Sequence, residues 1–275
     1  MDMKEIKKDV RMPVLGLGTW QLTGERCTDA VRKALELGYR HIDTAEMYGN
    51  EQDIREGIGD FDRKKLFITS KLWFENMGED ATEAFEGSLR RLGTDYLDLY
   101  LLHWPKEGMD LRGTFRSFRK LLDQGKVRAV GVSNFTVEHL KEALPLAQEE
   151  GIQLSMNQVE FHPLLNQKEL HKFCSIHGIS MTAYSPLARG NIRYENLMHE
   201  LAEKYQKTAE QVSLRWLLQK ELIVIPKGSS EEHLKENIDV FDFELEPEDM
   251  QRIEDLDKGQ RYVNPEFAEF GKGIA

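Results

Sequence analysis

The chain has 275 residues, 40% of them hydrophobic and 31% charged, with a formal net charge of −11. Such a composition belongs to a water-soluble globule with a large core and excludes a disordered chain. The acidic balance excludes a general nucleic-acid binder, which needs basic surface to displace counterions. No apolar run approaches the roughly 18 residues that a membrane span requires.

The opening "MDMKEIKKDV" has no hydrophobic signal core, and residues 3–13, "MKEIKKDVRMP", predict a hairpin placed to plug the bottom of a barrel. From there one unit recurs: a short apolar strand, a turn and an amphipathic helix. The first half supplies candidate strands "VLGLGT" (14–19), "RHIDT" (40–44), "LFITSK" (66–71) and "YLDLYLLH" (96–103). The second half adds "VRAVGVS" (127–133), "LSMNQVE" (154–160), "ISMTAY" (179–184) and "LIVIP" (222–226). Between them "CTDAVRKALELG" (27–38) and "DATEAFEGSLRRLG" (80–93) read as helices; in the first, Ala30, Val31, Ala34, Leu35 and Leu37 share one face and Gly38 supplies the stop.

Eight units without a linker predict one domain over residues 1–275, an α/β fold closed as a (β/α)8 TIM barrel. An N-terminal β-hairpin and a C-terminal extra helix, "PEDMQRIEDLD" (247–257), are added to it, with a tail, "PEFAEFGKGIA" (265–275), running over the surface. The rival is a doubly wound open sheet. Cys27 and Cys174 form no CxxC pair and read as reduced, buried thiols of a cytoplasmic protein.

In such barrels chemistry sits at the C-terminal ends of the strands. The strands end, in order, at Thr19-Trp20, Asp43 with Tyr48 in its loop, Lys71 with Trp73, His103-Trp104, Ser133-Asn134, Gln158 and Glu160, Tyr184-Ser185, and Lys227. Taken singly, Asp43 reads as a helix cap, Tyr48 as a loop aromatic, Lys71 as a solvated charge and His103 as a packing histidine. On consecutive strands they predict a site. Lys71 would lower the pKa of the Tyr48 phenol, Asp43 would keep Lys71 charged, and His103 would hold a carbonyl oxygen against the phenol, a grouping suited to protonating a carbonyl as a hydride arrives. No cluster has the spacing of a metal site. "GLGTWQ" (16–21) lacks the third glycine of a dinucleotide loop, so Gly16 and Gly18 read as letting the strand bend.

The motifs "GYRHIDTAEMYGNE" (38–51), "ITSKLW" (68–73), "LLHWP" (101–105), "GVSNF" (131–135), "NQVEFHP" (157–163), "YSPLARG" (184–190) and "IPKG" (225–228) together resemble the aldo-keto reductase family, in its order and nearly end to end. The resemblance implies a (β/α)8 barrel that uses a nicotinamide nucleotide to reduce aldehydes and ketones. It implies Tyr48 as general acid, tuned by Lys71 and Asp43, with His103 orienting the substrate. Ser133, Asn134 and Gln158 would hold the nicotinamide carboxamide, and Tyr184 would stack on the ring. Ser185 and Leu187 would contact the pyrophosphate, Glu236 and Asn237 the adenine, with Thr19, Trp20 and Asp43 also beside the cofactor. Trp20, Trp73, His103 and Trp104 would contact the substrate.

The family often carries a Ser after the strand-8 Lys and an Arg five residues further on; here Gly228 and His233 stand there. A neutral imidazole cannot grip a 2′-phosphate as an Arg fork does, and Glu231 and Glu232 would repel it. Lys227, Ser229 and Ser230, with His233, remain as phosphate-side contacts. NADPH (NADP) is therefore expected ahead, with NADH (NAD) also used. Short loops predict an open, shallow pocket for small aldehydes, 2-oxoaldehydes or sugar-like carbonyls. The expected partner is a small-molecule carbonyl, with no nucleic acid and no membrane, on a monomer. Two alternatives stand: a Schiff-base lyase using Lys71, and a nucleotide-binding regulatory or sensor protein of the same fold.

Overall fold

The computed structural model describes residues 2–78, 81–268 and 270. Two strands, β1 (Met3–Lys7) and β2 (Val10–Pro13), pair antiparallel as the hairpin. Eight further strands form one parallel sheet: β3 (Leu17–Gly18), β4 (His41–Asp43), β5 (Phe67–Leu72), β6 (Leu97–Leu102), β7 (Val127–Ser133), β8 (Leu154–Glu160), β9 (Ser180–Tyr184) and β10 (Ile223–Val224). Each neighbours the next in chain order, with helices in the connections.

The sheet closes on itself. Gly16 N donates to Val224 O (2.9 Å), Val224 N to Val14 O (2.9 Å) and Gly18 N to Pro226 O (3.1 Å), with parallel bridges Leu15–Val224 and Gly18–Lys227. The open-sheet alternative is thereby excluded. Gly18 is required by this seam: a Cβ there would lie 2.5 Å from Ile225 O. Gly16 has the matching reason, because its Cβ would enter the His41 ring. Close approach, rather than strand bending, explains both glycines.

Helices α1 (Glu25–Glu36), α2 (Glu51–Ile58), α3 (Ala81–Leu92), α4 (Leu111–Asp123), α5 (Val137–Glu149) and α6 (Lys168–Ile176) follow successive strands. Between β9 and β10 lie α7 (Asn196–Tyr205) and α8 (Ala209–Gln219), and α9 (Glu231–Ile238) and α10 (Pro247–Glu254) come after β10. Helix α1 buries Ala30, Val31, Ala34 and Leu35 of the stripe read from the sequence, together with Cys27, while Leu37, just past the helix end, is half-buried. Residue 80, the first of the expected third helix, lies outside the described residues.

Because side chains alternate along a strand, each strand sends every second residue into the barrel. Phe67, Leu99, Leu101, Ala129, Met156 and Ile223 form the lower interior, and the hairpin plugs it with Ile6, Val10 and Met12. Burying each of those three contributes roughly 1.5–3 kcal/mol. Lys4 Nζ donates to Glu221 O (2.5 Å) and Lys7 Nζ to Arg128 O (3.0 Å), fixing the plug at its rim. At the opposite end stand Asp43, Lys71, Ser133, Gln158 and Tyr184, at or near the C-terminal ends of their parallel strands.

Candidate active site

A cavity of about 670 Å³ opens at the C-terminal ends of the strands. Thr19, Trp20, Asp43, Tyr48, His103, Trp104, Ser133, Asn134, Gln158, Tyr184, Ser185, Leu187 and Lys227 line it, all of them expected from the sequence. Lys71 is fully buried behind the wall. Its Nζ donates to Asp43 Oδ1 (2.5 Å), Thr44 O (2.9 Å) and the Tyr48 hydroxyl (3.4 Å). Three acceptors match the three N–H donors of an ammonium ion. Burial pushes Lys71 down and Asp43 up, each towards its neutral form, while their mutual contact pulls both back. Asp43 Oδ2 also accepts from Gln158 Nε2 (2.6 Å), so the carboxylate is held from both sides.

The lysine determines where the Tyr48 proton points. Lys71 donates to the phenolic oxygen, so the O–H of half-buried Tyr48 turns away from the ammonium, into the cavity. The expected lowering of the Tyr48 pKa is not what the structure contains. Burial first, and the Asp43 charge second, push it well above a phenol's ordinary value. Taking a phenolate out of water costs more than the lysine contact returns, and Asp43, bonded to Lys71 at 2.5 Å, adds its own charge against it. Tyr48 is thus a neutral phenol with its proton in place.

His103 stands beside it, ring centroids 5.6 Å apart. Burial and then the Lys71 charge push His103 well below an imidazole's ordinary pKa, so it is neutral at pH 7. Its Nδ1 is buried without a partner, leaving Nε2 as the nitrogen open to the cavity. Deeper in, His41 bonds Thr69 Oγ1 (3.2 Å) and is pushed to about 3 by burial and Lys71.

The polar wall is tightly bonded. Ser133 Oγ donates to Gln158 O (2.8 Å), Asn134 Nδ2 to His103 O (3.0 Å), and the Tyr184 hydroxyl to Asn134 Oδ1 (2.7 Å). Asn134, Ser185, Gln21 and Arg189, all lining residues, adopt φ between 48° and 66°. Such left-handed backbone is costly and clusters at functional sites. Across the mouth Arg189 lies 4.8 Å over the Trp20 ring, and Lys227 Nζ donates to Gln21 Oε1 (3.3 Å).

Ser229, Ser230, His233, Glu236 and Asn237 do not line this cavity. They lie on α9 and just before it, where Ser230 Oγ caps the helix by accepting from His233 N (3.2 Å) and Asn237 is buried. Trp73 stands behind His103, ring centroids 5.5 Å apart. Among the described residues no group of three or more His, Cys, Asp or Glu is placed to hold a metal.

The open, shallow pocket expected from short loops is corrected by the tail. Tyr262, Val263, Asn264, Pro265 and Phe267 fold back over the mouth as a wall. Phe267 packs at 5.5 Å on both Trp73 and Trp104 and at 5.3 Å on Phe74. The sequence offers no periodic signal for this. Residues 269 and 271–275 of the expected tail lie outside the described residues.

Known proteins agree with this architecture. The chain is 46% identical over 265 residues to a glyoxal reductase of Bacillus subtilis, covering 94% of each protein. It is 39% identical to a methylglyoxal reductase of Escherichia coli, again over 94% of each. A solved Bombyx mori aldo-keto reductase in complex with NADP superposes with a TM-score of 0.88 at 32% identity, covering 96% of this chain and 95% of that one. The sequence pattern described as the Aldo/keto reductase family matches residues 14–258. With the closed barrel and a Lys71-backed Tyr48 at its mouth, the chain belongs to the aldo/keto reductase family.

Proposed function

We propose that this protein reduces small aldehydes and ketones, 2-oxoaldehydes foremost, with NADPH as the favoured cofactor and NADH as a second one. The observation that carries the reading is the Tyr48 hydroxyl, bonded on its oxygen by Lys71 at 3.4 Å and free to aim its proton into the cavity beside neutral His103. The names of the Bacillus and Escherichia relatives support the substrate class, and the NADP of the Bombyx structure supports the cofactor.

The residues present fit a nicotinamide nucleotide. Gln158 Oε1 has no hydrogen-bond partner among the described residues and offers an acceptor for a carboxamide N–H₂. Ser133 and Asn134 border it with their own donors engaged within the wall, and the Tyr184 ring, fixed through its hydroxyl, forms a stacking wall. Lys227, with one bond to Gln21, keeps donors for a phosphate. Ser185 and Leu187 border the same groove. We assign Ser229, Ser230, His233, Glu236 and Asn237 to its adenosine end. When bound, the reduced nicotinamide supplies the hydride for the carbonyl carbon.

The remaining steps belong to the chain. His103 Nε2–H donates to the substrate carbonyl oxygen and holds it at Tyr48. As negative charge builds on that oxygen, Tyr48 gives it its proton. An alkoxide is a stronger base than an ordinary phenolate, which favours the transfer as the charge on that oxygen grows. The Lys71 ammonium then stabilises the phenolate. Trp20, Trp73 and Trp104 form apolar surroundings for the substrate.

The lyase reading loses support from the same geometry. Lys71 is fully buried behind the wall and bonded three times, which leaves its nitrogen little access to a carbonyl. We further infer one catalytic domain acting as a monomer in the cytoplasm, consistent with Cys27 and Cys174, which are free, buried and pushed up to about 12. Among the described residues no helix is long and apolar enough to cross a membrane.

The test is nicotinamide absorbance with glyoxal, methylglyoxal, aromatic aldehydes and sugars, using both reduced cofactors. Oxidation of NADPH dependent on 2-oxoaldehyde is expected. Tight nucleotide binding without turnover of any carbonyl would overturn the reductase reading in favour of a sensor.

A further inference from the structure

Where the tail begins to wall the cavity, a buried carboxylate holds its backbone. Glu160, the last residue of β8, is fully buried. Its Oε1 accepts from Tyr262 N (2.8 Å) and its Oε2 from Val263 N (3.0 Å). His162 Nε2 lies 3.2 Å from Oε1 and Arg261 Nη1 3.7 Å from Oε2. Arg261 in turn lies 3.8 Å over the Phe270 ring, which packs at 5.8 Å on Trp104.

Upstream, Lys258 N and Gln260 N both donate to Leu164 O. Downstream the pattern changes. Among the described residues past Val263 the hydrogen bond is local, Ala268 N to Pro265 O (2.9 Å), and the hold on the barrel is ring contact. Glu160 is therefore the last polar anchor before the residues that cover the mouth. It does not itself line the cavity.

We infer that Glu160 is a positioning residue for substrate selectivity: its carboxylate holds the tail as a wall that bulky apolar carbonyls need and small ones do not. This rests on the reading of the cavity as a carbonyl site. Burial alone would push Glu160 up, but the bonds from His162, Tyr262 and Val263 outweigh it and hold the carboxyl below its ordinary range. The anchor is ionised at neutral pH. An aromatic aldehyde carries a ring that Phe267 can cover, whereas methylglyoxal has little apolar surface to gain from the wall.

The experiment compares Glu160→Gln and Arg261→Ala with the wild-type chain, using methylglyoxal and 4-nitrobenzaldehyde with NADPH. Glu160→Gln puts an N–H₂ where one backbone N–H needs an acceptor. A red shift of tryptophan emission in the ligand-free protein is expected, as Phe267 leaves Trp73 and Trp104. KM for the aromatic aldehyde should rise roughly tenfold with kcat held within about twofold, and methylglyoxal kinetics should stay within about twofold. Arg261→Ala should move the same quantities in the same direction by less, and it decides the matter if Glu160→Gln does not fold. Unchanged emission and an unchanged aromatic KM in a folded variant would overturn the inference. So would an equal loss with both aldehydes, which marks a merely structural residue. If the wild-type chain turns over neither aldehyde, the reductase reading fails and selectivity with it, while the emission shift still reports the anchor.

Discussion

Lys71 and Asp43 meet at 2.5 Å in a site where neither side chain is more than 2% exposed. Removing one member of such a pair leaves the other charge buried and uncompensated. Asp43→Asn is expected to cost about 3–5 kcal/mol of stability, read from urea unfolding, and to reduce turnover. The double variant Asp43→Asn, Lys71→Met removes both charges and should recover part of the stability but none of the activity. Wild-type stability in Asp43→Asn would show that the pair is not ionised.

Acid should destabilise the fold from about pH 6.5 downward, and His41 is one cause. Its folded pKa is about 3 against an ordinary 6.5, so between those values the unfolded chain binds a proton that the folded chain refuses. Stability therefore falls as pH falls, by about 1.4 kcal/mol per unit for one such group. His103, also depressed, adds in the same direction. His41→Gln keeps a partner for Thr69 and cannot titrate. Unfolding free energies at pH 6.5, 5.5 and 4.5 should fall about one proton less steeply in the variant, and identical slopes would refute the assignment.

Cofactor preference is predicted to hinge on position 233. His233 is exposed in the first turn of α9, and Glu231 nearby is paired with Lys235 at 2.6 Å, so it repels a phosphate less than its charge suggests. His233→Arg should tighten NADPH roughly tenfold through charge-assisted bonds and leave NADH within about twofold. Fluorescence titration with both nucleotides checks it. Equal tightening of the two would mean that residue 233 does not meet the 2′-phosphate.

At the barrel seam, Gly18→Ala forces a methyl group to within 2.5 Å of Ile225 O. A backbone carbonyl cannot step aside as a side chain can. A loss of about 1–3 kcal/mol is expected by thermal or denaturant unfolding, and a neutral substitution would mean that the seam is looser than described.

Much of this architecture is legible in the sequence, and for a physical reason. Parallel strands all end at one mouth, and alternation with a period of two turns Asp43, Lys71, Ser133, Gln158 and Tyr184 inward there once their strands are recognised. What escapes the sequence depends on contacts between distant segments. The bonds from Tyr262 and Val263 to Glu160 span over a hundred residues, and residues 258–268 have no periodicity to betray a wall. The Gln158–Asp43 bond is hidden likewise. The direction of the Tyr48 pKa is misread from sequence, which shows which charges are near but not how far burial and a second charge cancel them.

All of the chemistry proposed for this cavity turns on the Tyr48 hydroxyl as proton donor. The direct measurement is NADPH oxidation by Tyr48→Phe with methylglyoxal, paired with a nucleotide-binding titration. A loss of turnover on the order of 10²–10⁴-fold is expected, with the NADPH dissociation constant within about threefold of wild type. Turnover retained at the wild-type rate would contradict it.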